Sequence, residues 1–335
     1  MIDFNRSRSV QKPGNPVPAV DAEQMSPAPA SGTPPGTRLA GRRLLLVPAV
    51  TTALLALCFI GPLCDWIRFS LHSEFYSYMP LMPLVTGYLI WLRRAGLGSD
   101  VRRSWGAAVA AAAAAGAILA LYFLALQNGW NAAEQDELCV MMLAFLLLLL
   151  AAGFATLGVG TVSAVAFPLA LLLFMVPYPV GVNGALESFF QYTSAATANG
   201  FLNLAGTTCH REDLVLRLPM DFGLRVGPEC SGIHSSQVLL ITSLMAGNLF
   251  LRSPWRRLFL ALFVIPLAIL RNGFRIFVIG ELCVHVSHDM INSWIHRKGG
   301  PVFFVLSLIP FFLLLAWLRK SEFKSQKGVK TGGDI

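Results

Sequence analysis

Residues 138–186 read LCVMMLAFLLLLLAAGFATLGVGTVSAVAFPLALLLFMVPYPVGVNGAL, and no Asp, Glu, Lys or Arg interrupts them. A transmembrane helix needs about 20 predominantly apolar residues, so this run has room for two spans. Working outward, Leu44–Cys64, Phe75–Leu92 and Trp105–Leu126 precede it, and Ser231–Leu251 and Gly299–Leu318 follow it, all without a formal charge. Leu258–Gly280 also has the character of a span, although it carries Arg271 and Arg275. The count predicts about eight transmembrane helices: an all-α polytopic membrane protein rather than a soluble enzyme. Composition agrees, since the 335 residues are 55% hydrophobic and 13% charged, with mean hydropathy +0.61.

The net charge of +8 does not mark a nucleic-acid surface. Its carriers fall on alternate connections: Arg38, Arg42 and Arg43, then Arg93, Arg94, Arg102 and Arg103, then Arg252, Arg256 and Arg257, then Arg319, Lys320, Lys324 and Lys327. The positive-inside rule then places both termini in the cytoplasm. Residues 1–40 are rich in Pro, Ser, Ala and Gly and are expected to form a disordered cytoplasmic tail. The apolar run begins too late for a signal peptide. Residues 41–320 form the membrane domain and 321–335 a second cytoplasmic tail.

In that topology residues 178–229 form the sizeable outward-facing insertion. Leu186, Phe189, Phe190 and Tyr192 fall mostly on one helical face, which predicts a helix lying along the interface. Leu214, Leu216 and Leu218 fall on one side of a strand, and Phe222, Leu224 and Val226 resume the alternation after Pro219-Met220-Asp221. That pattern predicts a β-hairpin. Its second strand runs into Gly227-Pro228-Glu229-Cys230.

Cys58 and Cys139 lie within spans and read as packing residues. Cys64, Cys209 and Cys283 fall near the outward face, where one disulfide among them is expected. Cys230 reads as a packing residue, as half of such a bridge, or as a nucleophile. Gly227-Pro228 ends the preceding strand, which places Cys230 near the first turn of a span. Unpaired backbone N–H groups there favour a thiolate. Ser231 follows it, and Gly232 leaves room for a substrate backbone.

At about 1.5 Å per residue, a span entering near Leu258 puts Arg275 about one turn below its far boundary and Arg271 about two. A charge within a span costs at least about 2.5–3.5 kcal/mol and faces a cavity or a partner. Arg275 can snorkel to the surface; Arg271 cannot do so easily. Asn272 shares their face. Of six histidines, His234 lies four residues after Cys230, one turn deeper on the same face, and His296 precedes Gly299-Gly300-Pro301. Either can serve as the base. His285 and His288 have i, i+3 spacing, but no HExxH accompanies them, so no metal and no cofactor are assigned.

Glu229-Cys230-Ser231-Gly232-Ile233, Asn272-Gly273-Phe274-Arg275-Ile276 and His296 with Gly299-Gly300 together resemble the exosortase/archaeosortase family. Tyr76-Ser77-Tyr78 through Pro80, Pro83 and Tyr88 to Trp91-Leu92-Arg93-Arg94 looks like that family's second-span signature. The resemblance covers roughly residues 44–318. It implies a multi-pass cysteine transpeptidase or protease of the bacterial inner membrane, with its site at the periplasmic face. Its substrates would be exported proteins that end in a Pro-Glu-Pro-like motif, a single span and a basic cluster. By that resemblance Cys230 is the nucleophile, Arg275 the arginine and His296 the histidine of a triad. Glu229, Ser231, Gly232, His234, Arg271 and Asn272 would support them. The lipid bilayer and exopolysaccharide-export machinery are the further partners it raises. Two other classes compete with this reading. A thiol oxidoreductase would pair Cys209 with Cys230 or Cys283, but it lacks a CxxC. A transporter would bind an anion at Arg271 and Arg275, but the chain lacks matched halves.

Overall fold

In lipid a backbone N–H or C=O must find its partner within its own segment, so the apolar runs fold as helices. The computed structural model describes residues 35–94, 102–219, 222–287 and 299–331. Contacts divide the chain into residues 1–43 and 44–335. Of the first unit only residues 35–43 are described, as the start of a helix; the helices apolar enough to cross a membrane lie in the second.

Helix α1 (Pro35–Cys58) meets α2 (Ile60–His72) at a 77° bend, and α3 (Leu81–Arg93) follows a short turn. Helices α4 (Trp105–Gln127) and α5 (Glu134–Thr156) pack on each other. Next come α6 (Gly158–Ala164) and α7 (Ala166–Leu171), bent by 68°, with a 3-10 turn at Leu172–Met175. Helix α8 (Val180–Leu204) leads to strands β1 (His210–Glu212), β2 (Val215–Leu218) and β3 (Phe222–Arg225). The last helices are α9 (Ile233–Phe250), α10 (Pro254–His285) and α11 (Gly300–Thr331).

Helices α4, α5, α10 and the Gly300–Phe323 part of α11 are long and apolar enough to cross a membrane, and each bent pair adds one more if counted as a span. Four to six spans among the described residues do not confirm the expected eight. The shortfall lies in α3, which has 13 residues, and α9, whose 18 residues include His234, Ser235, Ser236, Gln237 and Asn248. At about 1.5 Å per residue, α3 covers about 20 Å, short of a hydrocarbon core of about 30 Å.

The expected hairpin is present as β2 and β3, antiparallel, with Leu216 opposite Leu224. A third strand, β1, pairs with β2, and Asp213 at positive φ turns the chain between them. Leu216, Leu218, Leu224 and Val226 point into one core with Ala195, Ala198 and Leu202 of α8 and Ile276 and Ile279 of α10. The alternation in the sequence therefore identifies the buried face.

A helix, α8, is present where the interfacial one is expected. Phe189 and Tyr192 are exposed, whereas Gln191, Ser194, Ala195, Ala198 and Leu202 are buried. Helix α8 packs its small residues along α10. Lipid tails are as apolar as Phe, so close backbone approach, not hydrophobic burial, selects the inward face. At the crossing, a Cβ on Gly273 would lie 2.6 Å from Thr197 Cβ and Cγ2.

At the other end of α10, the Glu322 carboxylate accepts from the backbone N–H groups of Arg252 and Ser253, at 3.1 and 2.7 Å, and sits 3.9 Å from Arg256. Arg93 donates to Asn248 Oδ1 and to the Ala164 carbonyl at the same end of α9.

Gly273→Ala is expected to force α8 and α10 apart and cost about 1–3 kcal/mol by overpacking. Gly200→Ala, on the exposed side of α8 with open space around it, should leave stability unchanged or raise it. Thermal unfolding midpoints of the two purified variants check the contrast.

Candidate active site

The backbone around Cys230 is tightly turned. Pro228–Cys230 form one 3-10 turn, in which the Cys230 N–H donates to the Gly227 carbonyl at 2.9 Å and the Ser231 N–H to the Pro228 carbonyl at 3.0 Å. Ser231 is right-handed (φ −67°), Gly232 is left-handed (φ 69°), and α9 starts at Ile233. A side chain at Gly232 would be strained twice over. Its φ disfavours an L-residue, and a Cβ would lie 2.7 Å from Asn272 Cγ and Oδ1.

Two adjacent residues of α10 hold this corner. The Asn272 amide donates to the Cys230 carbonyl at 2.5 Å and to Ser194 Oγ of α8 at 3.0 Å. Arg271 Nη2 donates to the Gly232 carbonyl at 3.1 Å and to Ser236 Oγ at 3.4 Å. Arg271 is 8% exposed and Asn272 2%, so neither reaches a surface. Arg271 is an anchor and does not snorkel, in keeping with its depth in the span.

One expected relation is corrected. Cys230 lies in the turn before α9, on the far side of the Gly232 break, and not in the helix itself. His234 is therefore not one helical turn below it on a common face. Its Nδ1 lies 3.0 Å from the Phe75 carbonyl.

A cavity of about 1180 Å³ opens beside the corner. Of the candidate site residues named in the sequence, Ser231, Gly232, His234 and Arg275 line it. Cys230 is 8% exposed and belongs to the apolar cluster that includes the sheet's buried face, while Pro228 and Ser231 on either side reach the cavity wall. His296 and the side chain of Glu229 lie outside the described residues.

Sequence reasoning missed several residues of the wall. Gln135, Asn183 and Glu187 line the cavity beside Tyr76 of the second-span signature. Gln135 Nε2 donates to Tyr76 Oη at 2.9 Å and to the Tyr178 carbonyl, and Gln237 Nε2 donates to Tyr178 Oη at 2.7 Å. Burial pushes the phenols of Tyr76 and Tyr178 above the ordinary tyrosine range, so both stay protonated. Asn183 Oδ1 is buried with no hydrogen-bond partner among the described residues.

Cys64 and Cys209 are both free thiols, so the disulfide expected among Cys64, Cys209 and Cys283 is not formed. As a free thiol Cys209 makes no disulfide with Cys230 either, and burial pushes it up, away from the reactive form a redox couple needs. No group of metal-ligating side chains occurs among the described residues, and His285 instead pairs with Glu281 at 3.1 Å.

A family model described as transmembrane exosortase matches residues 66–313. The chain belongs to the transmembrane exosortase family. No curated protein and no solved structure matches it. The matched exosortase region runs from α2 into α11 and includes the Cys230 corner, Arg271, Asn272 and Arg275. Exosortases are a cysteine-type transpeptidase family that sits in the membrane and acts on exported proteins with C-terminal sorting signals. Membership thus suggests a membrane protein-sorting transpeptidase.

Asn272→Ala would leave the Cys230 carbonyl and Ser194 without their common donor, at a cost of about 1–3 kcal/mol. The expected outcome is a lower unfolding midpoint together with faster maleimide labelling of Cys230, read by intact mass.

Proposed function

We propose that this exosortase-family chain is a membrane cysteine transpeptidase or protease that cleaves C-terminal sorting signals of exported proteins through Cys230, Arg275 and His296. One observation carries the reading: Arg275 shares a cavity wall with Ser231 and Gly232, while Asn272 of the same helix grips the Cys230 carbonyl. Arg275, at the cavity, and the buried Arg271 and Asn272, at the cysteine turn, thus come from one helix.

The Cys230 thiolate attacks the scissile carbonyl carbon, and the C–N bond breaks to leave a thioester. His296 gives its proton to the departing amine, which leaves with the substrate's membrane tail. Arg275 donates to the oxygen that becomes negative. Water or an acceptor amine then attacks the thioester and restores the thiol. Asn183 Oδ1 offers an acceptor to an extended substrate backbone on the facing wall.

The cavity belongs to the exported, periplasmic side of the inner membrane in this reading. Support comes from the ends of the helices. Residues 75–77, Arg275 and Gly300 mark the cavity end, whereas Arg93, Arg252 and Arg256 lie at the opposite ends of α3 and α10, and Arg319 lies in the last part of the apolar Gly300–Phe323 stretch of α11. Basic residues favour the cytoplasmic end of a span.

Co-expression with a reporter ending in a motif, a span and a basic cluster tests the proposal. Cys230→Ala should abolish processing, and Arg275→Ala should slow it about 10²–10³-fold. Arg275→Lys should stay slow, because lysine lacks the planar fork. Full processing by Cys230→Ala would falsify the thiol mechanism. Loss with His234→Ala but not with His296→Ala would move the base to His234 and leave the enzyme class standing.

A further inference from the structure

The Gly232 carbonyl accepts from four donors: Arg271 Nη2 at 3.1 Å, the Ser236 N–H at 3.0 Å, Ser236 Oγ at 2.7 Å and Ser235 Oγ at 3.2 Å. A helix needs only one of these to begin. The concentration fixes the plane of the Gly232–Ile233 peptide and polarises it, which strengthens the Ile233 N–H as a donor. That N–H has only a long 3.5 Å contact, to Ser231 Oγ. The Gly232 N–H has no hydrogen-bond partner among the described residues.

Ser231 right-handed followed by Gly232 left-handed is the backbone sequence that turns successive N–H groups toward one concavity and makes an anion-binding nest. Ser231, Gly232 and Ile233 all lie on the cavity wall. A second observation points to a negative guest. Arg271 is more than nine-tenths buried, its Nη1 has no hydrogen-bond partner, and no carboxylate pairs with it among the described residues. A buried cation without a counter-ion is costly, and an oxyanion forming at the corner would relieve that cost.

We infer that the N–H groups of Gly232 and Ile233 form a backbone oxyanion pocket for the tetrahedral intermediate built on Cys230, and that Arg271 is its positioning residue. This rests on Cys230 being the nucleophile. When sulfur bonds to the carbonyl carbon, the C=O electron pair moves onto oxygen, and that oxygen enters the nest. When the C–N bond breaks, the pair returns and the oxygen leaves it. Arg271 touches neither atom; it acts through the Gly232 carbonyl.

Two reagents separate this role from a merely structural one. Acetylation of Cys230 by p-nitrophenyl acetate passes through an oxyanion, whereas alkylation by iodoacetamide is a displacement at an sp³ carbon and forms none. Both rates can be read by intact mass on the full-length protein in detergent, with Cys230→Ala as the blank. Arg271→Met should slow acetylation about 10²-fold, the scale of one lost oxyanion donor, and leave alkylation within about twofold. Arg271→Lys should recover part of the loss. The inference is overturned if both rates fall together, if neither changes, or if neither reagent labels the wild-type thiol. Cellular processing that survives in Cys230→Ala would instead remove the nucleophile assignment itself, and the two failures are therefore distinguishable.

Discussion

Two carbonyl groups on consecutive turns of the cysteine segment are held by two consecutive side chains of one helix. Asn272 takes the Cys230 carbonyl and Arg271 takes the Gly232 carbonyl, and both donors are buried. Neither bond alone is worth more than a few kcal/mol. Their effect is positional, because they fix a turn that has no regular hydrogen-bond ladder of its own. The left-handed Gly232 lets α10 come close enough to make the grip, and a methyl group there would collide with Asn272. The rest of the site is arranged around that contact.

The fold supplies the grip by means suited to lipid. Helix α8 turns Phe189 and Tyr192 outward and Ser194, Ala195 and Ala198 inward, and Gly273 sits where the two helices cross. One position before Gly273 is Asn272, which bonds Ser194 of α8 and Cys230 at once. The three-stranded sheet covers the same core and feeds β3 into the cysteine turn. Packing and chemistry therefore meet within three residues of α10.

Much of this was legible in the sequence, for identifiable reasons. Long charge-free runs announced the helices, and alternation at Leu216, Leu218, Leu224 and Val226 announced the sheet's buried face. Arg271 was recognisable because an arginine at that depth must find a partner. The number of spans was less readable, since chain length alone does not show that α1 and α2 bend sharply or that α3 is short. The Gly232 break was also hidden. Sequence spacing placed Cys230 and His234 on one helical face, while backbone dihedrals put a corner between them. Cavity residues such as Gln135 and Asn183 carried no motif, and tertiary convergence alone brings them to the wall.

The joint made by Ser194, Asn272 and the Cys230 carbonyl has a mechanical consequence. It locks α8, α10 and the cysteine turn into one stiff body, so the cavity has an unyielding side. The opposite side is built from the last turn of α2, the turn at residues 73–77 and the first turn of α11, where Gly300 meets open space. A change at Ser194, which lines no part of the cavity, is therefore transmitted through Asn272 to the cysteine turn at its edge.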